Sequence, residues 1–213
     1  MKDAVDDKTI QTVLELGSFL MDFGTIERAT YKKDLKNKET DTDHTVMLAV
    51  IACAVAAKFH PGYDIGKIAQ YALVHDLVET YAGDVVTIDP ATVNVAAKKE
   101  SEDLALEKIK QQFGDIFPWL HTTIESYERL EDIESRFVKT LDKVMPGILH
   151  EFTENKVVNE YFDDPKKFEN SVRMHNKSIH DSYGSDQPVA MYLREILVDR
   201  AVTVKYDHHS KNK

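Results

Sequence analysis

Residues 75–84 read HDLVETYAGD and follow the apolar run IAQYALV at 68–74. One histidine and three carboxylates, Asp76, Glu79 and Asp84, therefore stand at the end of what reads as a buried helix. An unpaired charge in apolar surroundings is expensive. Either this helix end is solvated or the charges are held there to do chemistry, and the stretch alone leaves both readings open.

The segments on either side read as helices with short breaks. Apolar residues at helical spacing, among them Ile10, Val13, Leu14, Phe19 and Phe23, predict a helix over about 8–23. The polar stretch YKKDLKNKETDTD (31–43) reads as a loop. Thr42 or Asp43 is placed to cap the helix that carries VMLAVIACAVAA (46–57) and runs to about Phe59, before Pro61-Gly62. Asp64 is placed to cap the helix leading into residues 75–84, with Gly83 as its C-cap. Residues 84–95, with Pro90, read as an irregular loop.

Farther along, residues 96–113 predict an exposed amphipathic helix, and Pro118 suits the first turn of another. A long helix is expected over 131–153, bent or interrupted at Pro146-Gly147. Asp164-Pro165 opens a further helix, 187–197 gives the last, and residues 203–213 read as a polar, frayed tail. The expected fold class is all-α, a bundle of about eight or more helices.

Bulk composition narrows the functions open to such a bundle. Among 213 residues the net charge is −10, which gives no overall field for drawing in a nucleic acid polymer. A small anion remains possible where a metal and a few basic groups neutralise it locally. The single cysteine, Cys53, lies in an apolar run and reads as a small core residue. The run 46–57 is shorter than the roughly 18 residues that span a bilayer. MKDAVDDKT at the start has no apolar signal region, so the expected setting is cytoplasmic, away from a membrane.

Two imidazoles and two carboxylates fall at helix ends or in apolar sequence: His44 in a first helical turn, His75 and Asp76 at the end of the next helix, and Asp142 inside LDKVMPGIL. One divalent cation between three helices would satisfy all four. An N₂O₂ set suits Mn, Fe, Co or Mg better than a closed structural zinc. Glu79 falls one turn beyond His75 and Asp76 on the same helix face, and Asp84 follows Gly83, where the chain can turn back. Carboxylates beside such a cation suit the orienting and deprotonating of a water. Spacing alone still leaves the solvated-end reading open.

The order His44, His75-Asp76, Asp142 resembles the HD-domain superfamily of metal-dependent phosphohydrolases. The stretches DHTVMLAVIACAVAA, ALVHDLVETYAGDVVTID and VKTLDKVMPGILHEF are similar to the branch containing the bacterial 5′-deoxynucleotidases. That resemblance implies one HD domain over 1–202 and metal ligation by His44, His75, Asp76 and Asp142. It further implies catalytic roles for Glu79 and Asp84, phosphate binding by Arg28, and a homodimer. The implied activity is removal of phosphate from (deoxy)nucleoside 5′-monophosphates, with a dNTP triphosphohydrolase or a non-catalytic nucleotide sensor as alternatives.

One departure stands out. Deoxynucleotidases of this branch commonly carry a tryptophan directly after the arginine, whereas Ala29 and Thr30 follow Arg28 here. The only tryptophan, Trp119, reads as a core residue. Lys98 and Lys99 read as an exposed helix start, and His121 and His150 as packing or surface histidines.

Overall fold

A polar hairpin and a set of interlocking helices share the work of building this chain. The structure, a computed structural model, describes residues 5–86 and 93–211. Helix α1 (Asp7–Phe23) is capped by Asp6 and is followed by strands β1 (Glu27–Tyr31) and β2 (Lys38–Thr40). The two strands form an antiparallel pair, so most of the stretch 31–40 expected as loop is the end of a hairpin. Its sequence, rich in Lys, Asp and Asn, carries no run of β-branched residues that would announce strands.

Helix α2 (Asp41–Phe59) begins one or two residues before the expected cap. Thr40 is the N-cap, and the Asp43 side chain returns the hydrogen bond to the Thr40 backbone. This capping box satisfies two amides at once. Leu48, Ala52 and Ala56, spaced by four, form a fully buried stripe that packs α2 against α3 (Ile65–Val74). By length and composition alone α2 is apolar enough to cross a membrane, which the shorter run 46–57 did not suggest. Its buried stripe packs into the core, while Val46 and Val50 are exposed.

The helix expected to run to Gly83 instead stops at Val74. A turn over 75–78 intervenes, and the short α4 (Glu79–Ala82) follows, closed by Gly83 at φ +77°. Pro90 lies outside the described residues. Then come α5 (Val95–Phe113) and α6 (Pro118–Arg129). The long helix expected over 131–153 is two: α7 (Ile133–Asp142) and α8 (Met145–Phe152), with Pro146 in the first turn of α8 rather than within a bend. Next are α9 (Lys156–Tyr161) and α10 (Pro165–Ile179), which passes through a π-helical turn (His180–Gly184) into α11 (Pro188–Lys211).

The last helix corrects the expected tail. Residues 203–211 are helical, Val202 and Lys205 are buried, and the Lys205 ammonium donates to Asn159 Oδ1 at 3.0 Å. Trp119 is likewise not core: it is 48% exposed, with its indole N–H donated to Gln70.

Three apolar clusters carry the packing. One joins α2, α3 and α7 through Leu48, Ile68, Phe137 and Leu141. A second joins α1, the turn after α3, α5 and α6 through Phe19, Leu77, Ile109 and Ile124. The third lies between α9, α10 and α11 through Val158, Phe162, Phe168 and Val202. Full burial of each such side chain stabilises the fold by about 1.5–3 kcal/mol relative to exposure. The architecture is all-α, as expected, with a small hairpin among the described residues that the sequence did not announce.

Candidate metal centre and cavity

Four pieces of chain converge where the first cluster meets the hairpin. The first turn of α2 brings Asp41 and His44, both buried, to the site. The turn after α3 brings His75 and Asp76, and the first residue of α4 brings Glu79. The C-terminal residue of α7 is Asp142, and β1 supplies Arg28. A helix N-terminus favours a carboxylate such as Asp41, because its amides carry partial positive charge.

The turn over 75–78 is tight. Leu77 N–H donates to the Val74 carbonyl at 3.1 Å, and Glu79 N–H to that of Asp76 at 2.9 Å. Such i→i+3 bonding stacks residues three apart over one another, which brings the Asp76 and Glu79 carboxylates together. Asp41, Asp76 and Glu79 offer oxygens within 4.8 Å of one another, as do the ligand atoms of His44, His75 and Asp142.

Asp76 joins the two groups. Its Oδ2 lies 2.9 Å from His75 Nε2 and 3.9 Å from His44 Nε2. Asp142 Oδ1 lies 3.0 Å from His44 Nε2 and 4.0 Å from His75 Nε2. The structure therefore gathers all four residues that the sequence grouped.

The donor chemistry fits a cation. His75 Nδ1–H donates to the Ala72 carbonyl at 2.8 Å, which leaves Nε2 as the lone-pair nitrogen. That nitrogen is buried without a hydrogen-bond partner. A lone pair facing a carboxylate oxygen at 2.9 Å is unfavourable unless positive charge lies between them. At His44, burial opposes a charge, but the hydrogen bonds with Asp142 and Glu39 outweigh it and hold the imidazole pKa up to about 9. Glu39 Oε1 stands 3.7 Å behind His44 Nδ1, the usual place for a carboxylate that orients a ligating histidine.

Arg28 lies at the same centre. Its Nη1 donates to Asp41 Oδ1 and to Asp76 Oδ2, both at 2.9 Å, and Glu79 Oε2 is 3.8 Å away. Burial works against its charge, yet Asp76, Asp142, Glu79 and Asp84 together raise its pKa. Its Nη2 has no partner among the described residues. Glu79 is held well above the usual carboxylate range by burial and then by the charges of Asp76, Asp84 and Asp41. Asp84 is raised chiefly by burial.

A cavity opens from this centre. Arg28, His44, Asp84 and Asp142 line one end, and Val157, Phe168, Val172 and Leu197 line an apolar arm. Asp41, Glu39, Lys143, His175 and Arg194 are the polar residues here that sequence reasoning missed. Asp41 alone had a local signal, since it stands three residues before His44 on one helix face. Lys98, expected on an exposed helix start, reaches to 3.6 Å from Glu79 Oε1 and pairs with Glu102 at 2.9 Å.

An HD domain model matches residues 23–184, and the chain belongs to the HD domain family. Among curated proteins it is similar to the 5′-deoxynucleotidase HDDC2 of Bos taurus, 30% identical over 58% of this chain and 60% of that protein. The Homo sapiens 5′-deoxynucleotidase HDDC2 is 28% identical over 52% of each chain. The alignments thus span between about half and 60% of the length of these relatives. Among solved structures, a predicted metal-dependent phosphohydrolase from Magnetospirillum magnetotacticum MS-1 shares the fold. Its TM-score is 0.73 and its identity 23%, over 94% of this chain and 98% of that one.

Proposed function

We propose that this chain is a metal-dependent phosphohydrolase that removes phosphate from (deoxy)nucleoside 5′-monophosphates. The observation that carries the reading is the orphaned, buried His75 Nε2 facing Asp76 Oδ2, with His44 and Asp142 completing an N₂O₂ set. The names of the curated relatives support the same class of reaction.

In this reading His44, His75, Asp76 and Asp142 hold one divalent ion, with Mn, Co, Fe and Mg all suited to the donors. Such an ion supplies Lewis acidity toward a phosphoryl oxygen. Arg28 binds the phosphate through its unspent Nη2, where its planar fork matches two oxygens. Glu79 and Asp84 orient the attacking water. One of these carboxylates takes the water's proton as its oxygen bonds to phosphorus, and the bond from phosphorus to the nucleoside 5′-oxygen breaks as the other carboxyl group gives that oxygen a proton. Burial raises both carboxyl groups above the ordinary carboxylate range, the direction that favours taking up a proton.

The proposal extends to a cytoplasmic homodimer that takes no nucleic acid polymer. Exposed Leu14 and Met21 on α1, with Val46 and Val50 on α2, offer apolar surface for a second copy. Sedimentation velocity tests this. The activity itself is tested by phosphate release from a panel of 5′-mono- and triphosphates after chelation and re-addition of each metal. Release from monophosphates, lost with chelator and restored by metal, is the expected result. Release from triphosphates alone, or from none of the panel with metal bound, overturns the reading.

A further inference from the structure

Arg194 on α11 lines the cavity and is only 7% exposed. Every hydrogen-bond partner of its guanidinium is neutral. Nε donates to Asn176 Oδ1 at 2.7 Å, Nη1 to the Lys143 carbonyl, and Nη2 to His175 Nδ1 at 3.4 Å. Those bonds fix the plane of the group and use three of its five N–H protons. None of them balances its charge.

Nearby carboxylates are committed elsewhere. Asp142, the nearest in sequence to Lys143, pairs with the Lys143 ammonium at 2.7 Å and with His44 at 3.0 Å. Burial pushes the Arg194 guanidinium down to about 10, outweighing the upward pull of Tyr183 and Asp142, neither of which is hydrogen-bonded to it. His175 is held at about 3 by burial and then by Arg194 and Lys143, so it is a neutral ring. With Nδ1 accepting from Arg194, its Nε2 carries the proton and has no partner among the described residues. A buried charge with no hydrogen-bonded counter-charge is destabilising. This one stands on the wall of the cavity that His44 and Asp142 also line.

We propose that Arg194 and His175 form a second anion subsite in this cavity, so that the molecule it accepts carries, besides the phosphate at Arg28, a second anionic oxygen group. Two free guanidinium N–H groups and one imidazole N–H suit an oxyanion, phosphate or carboxylate. The inference rests on the phosphohydrolase reading for the first phosphate only. Within that reading it names a class of substrate: phosphomonoesters that bear a further phosphate or carboxylate.

The test uses the full chain, loaded with magnesium, and follows the midpoint of thermal unfolding as inorganic phosphate is added at constant ionic strength with chloride. Binding to the folded state raises the midpoint. With two subsites, Arg28→Met retains part of the phosphate response, and Arg194→Met removes the part that Arg28→Met retains. His175→Gln weakens that same part, which keeps the inference testable should Arg194→Met fail to fold. Loss of the entire response in Arg28→Met, or a full response in both Arg194→Met and His175→Gln, overturns it.

None of this depends on turnover, so a chain that hydrolyses nothing leaves the anion test standing. Acetate in place of phosphate separates the two sources: a response in Arg28→Met assigns a carboxylate, and silence with acetate but not phosphate assigns a phosphate. If the chain does hydrolyse nucleotides, a 3′,5′-bisphosphate binds about tenfold tighter than the 5′-monophosphate, as one charge-assisted contact implies. Arg194→Met erases that ratio.

Discussion

Arg28 and Asp76, separated by forty-eight residues of chain, meet at 2.9 Å through Nη1 and Oδ2. This contact ties the hairpin to the turn after α3 and places a guanidinium against a carboxylate that also faces His75. It follows that the proposed phosphate anchor and the proposed metal ligands form one electrostatic unit. Substitutions in it sort by whether they remove a donor to the cation or a group that acts on the water.

Asp76→Ala removes such a donor and is expected to lose bound metal and activity together. Glu79→Gln leaves the four donors in place and is expected to keep its metal, while turnover falls by about 10²–10⁴ as for loss of an acid–base group. Metal content by elemental analysis, set beside kcat, separates the two. Parent-level turnover in Glu79→Gln removes the role assigned to Glu79.

Gly83 precedes Asp84 with φ +77° and ψ 153°, backbone that L side chains rarely adopt. Gly83→Ala is expected to destabilise the fold by about 1–3 kcal/mol and to lower kcat by displacing Asp84. Among the described residues, no atom beyond the chain neighbours lies within 4 Å of where a Cβ would stand, so the expected effect is conformational. Urea midpoints together with kcat measure it, and an unchanged midpoint counts against the strain.

His150 is held down at about 4, against an ordinary value of 6.5, by burial and then by the charge of Arg194. Its Nδ1 is buried without a partner. Between these two pH values the unfolded chain binds a proton that the folded chain does not, so stability falls as pH drops from 6.5 toward 4. His150→Gln is expected to flatten this slope in urea midpoints taken across the window. A slope identical to that of the parent rules His150 out as its source.

Ala29 lines the cavity beside Arg28, where related deoxynucleotidases commonly carry a tryptophan. Without that ring the chain is expected to discriminate little against a 2′-hydroxyl, with kcat/KM for ribo- and deoxyribonucleotides within about tenfold, as for a contact that no hydrogen bond reads. Ala29→Trp should shift the ratio toward the deoxy substrate. A strong deoxy preference in the parent chain contradicts this account.

The sequence made α2, the helix caps at Asp64 and Asp164, and the four clustered donors legible, because each rests on local spacing or on a charge set in apolar sequence. What it hid depended on tertiary neighbours. Glu39 and Arg194 look like surface charges until the hairpin and α11 fold over the centre. The hairpin itself is polar and short. The stop at Val74 was invisible because apolar residues continue at helical spacing through Leu77 and Val78, both buried. Trp119 misled through its size: its indole N–H found Gln70 at the surface. Residues 203–211 look too polar to pack, yet Lys205 buries its stem and spends its ammonium on Asn159.

Consecutive side chains on a regular helix diverge by about 100°, yet His75 Nε2 and Asp76 Oδ2 stand 2.9 Å apart. They do so because the helix breaks after Val74 and the chain tightens over 75–78. Residues that favour regular helix in this turn would extend α3 into α4 and raise thermal robustness, while swinging one member of the pair away from the other. Selection for a hardier chain and selection for the proposed turnover therefore pull in opposite directions at these four positions, and directed evolution for heat resistance alone should find its gains here at the expense of the paired donors.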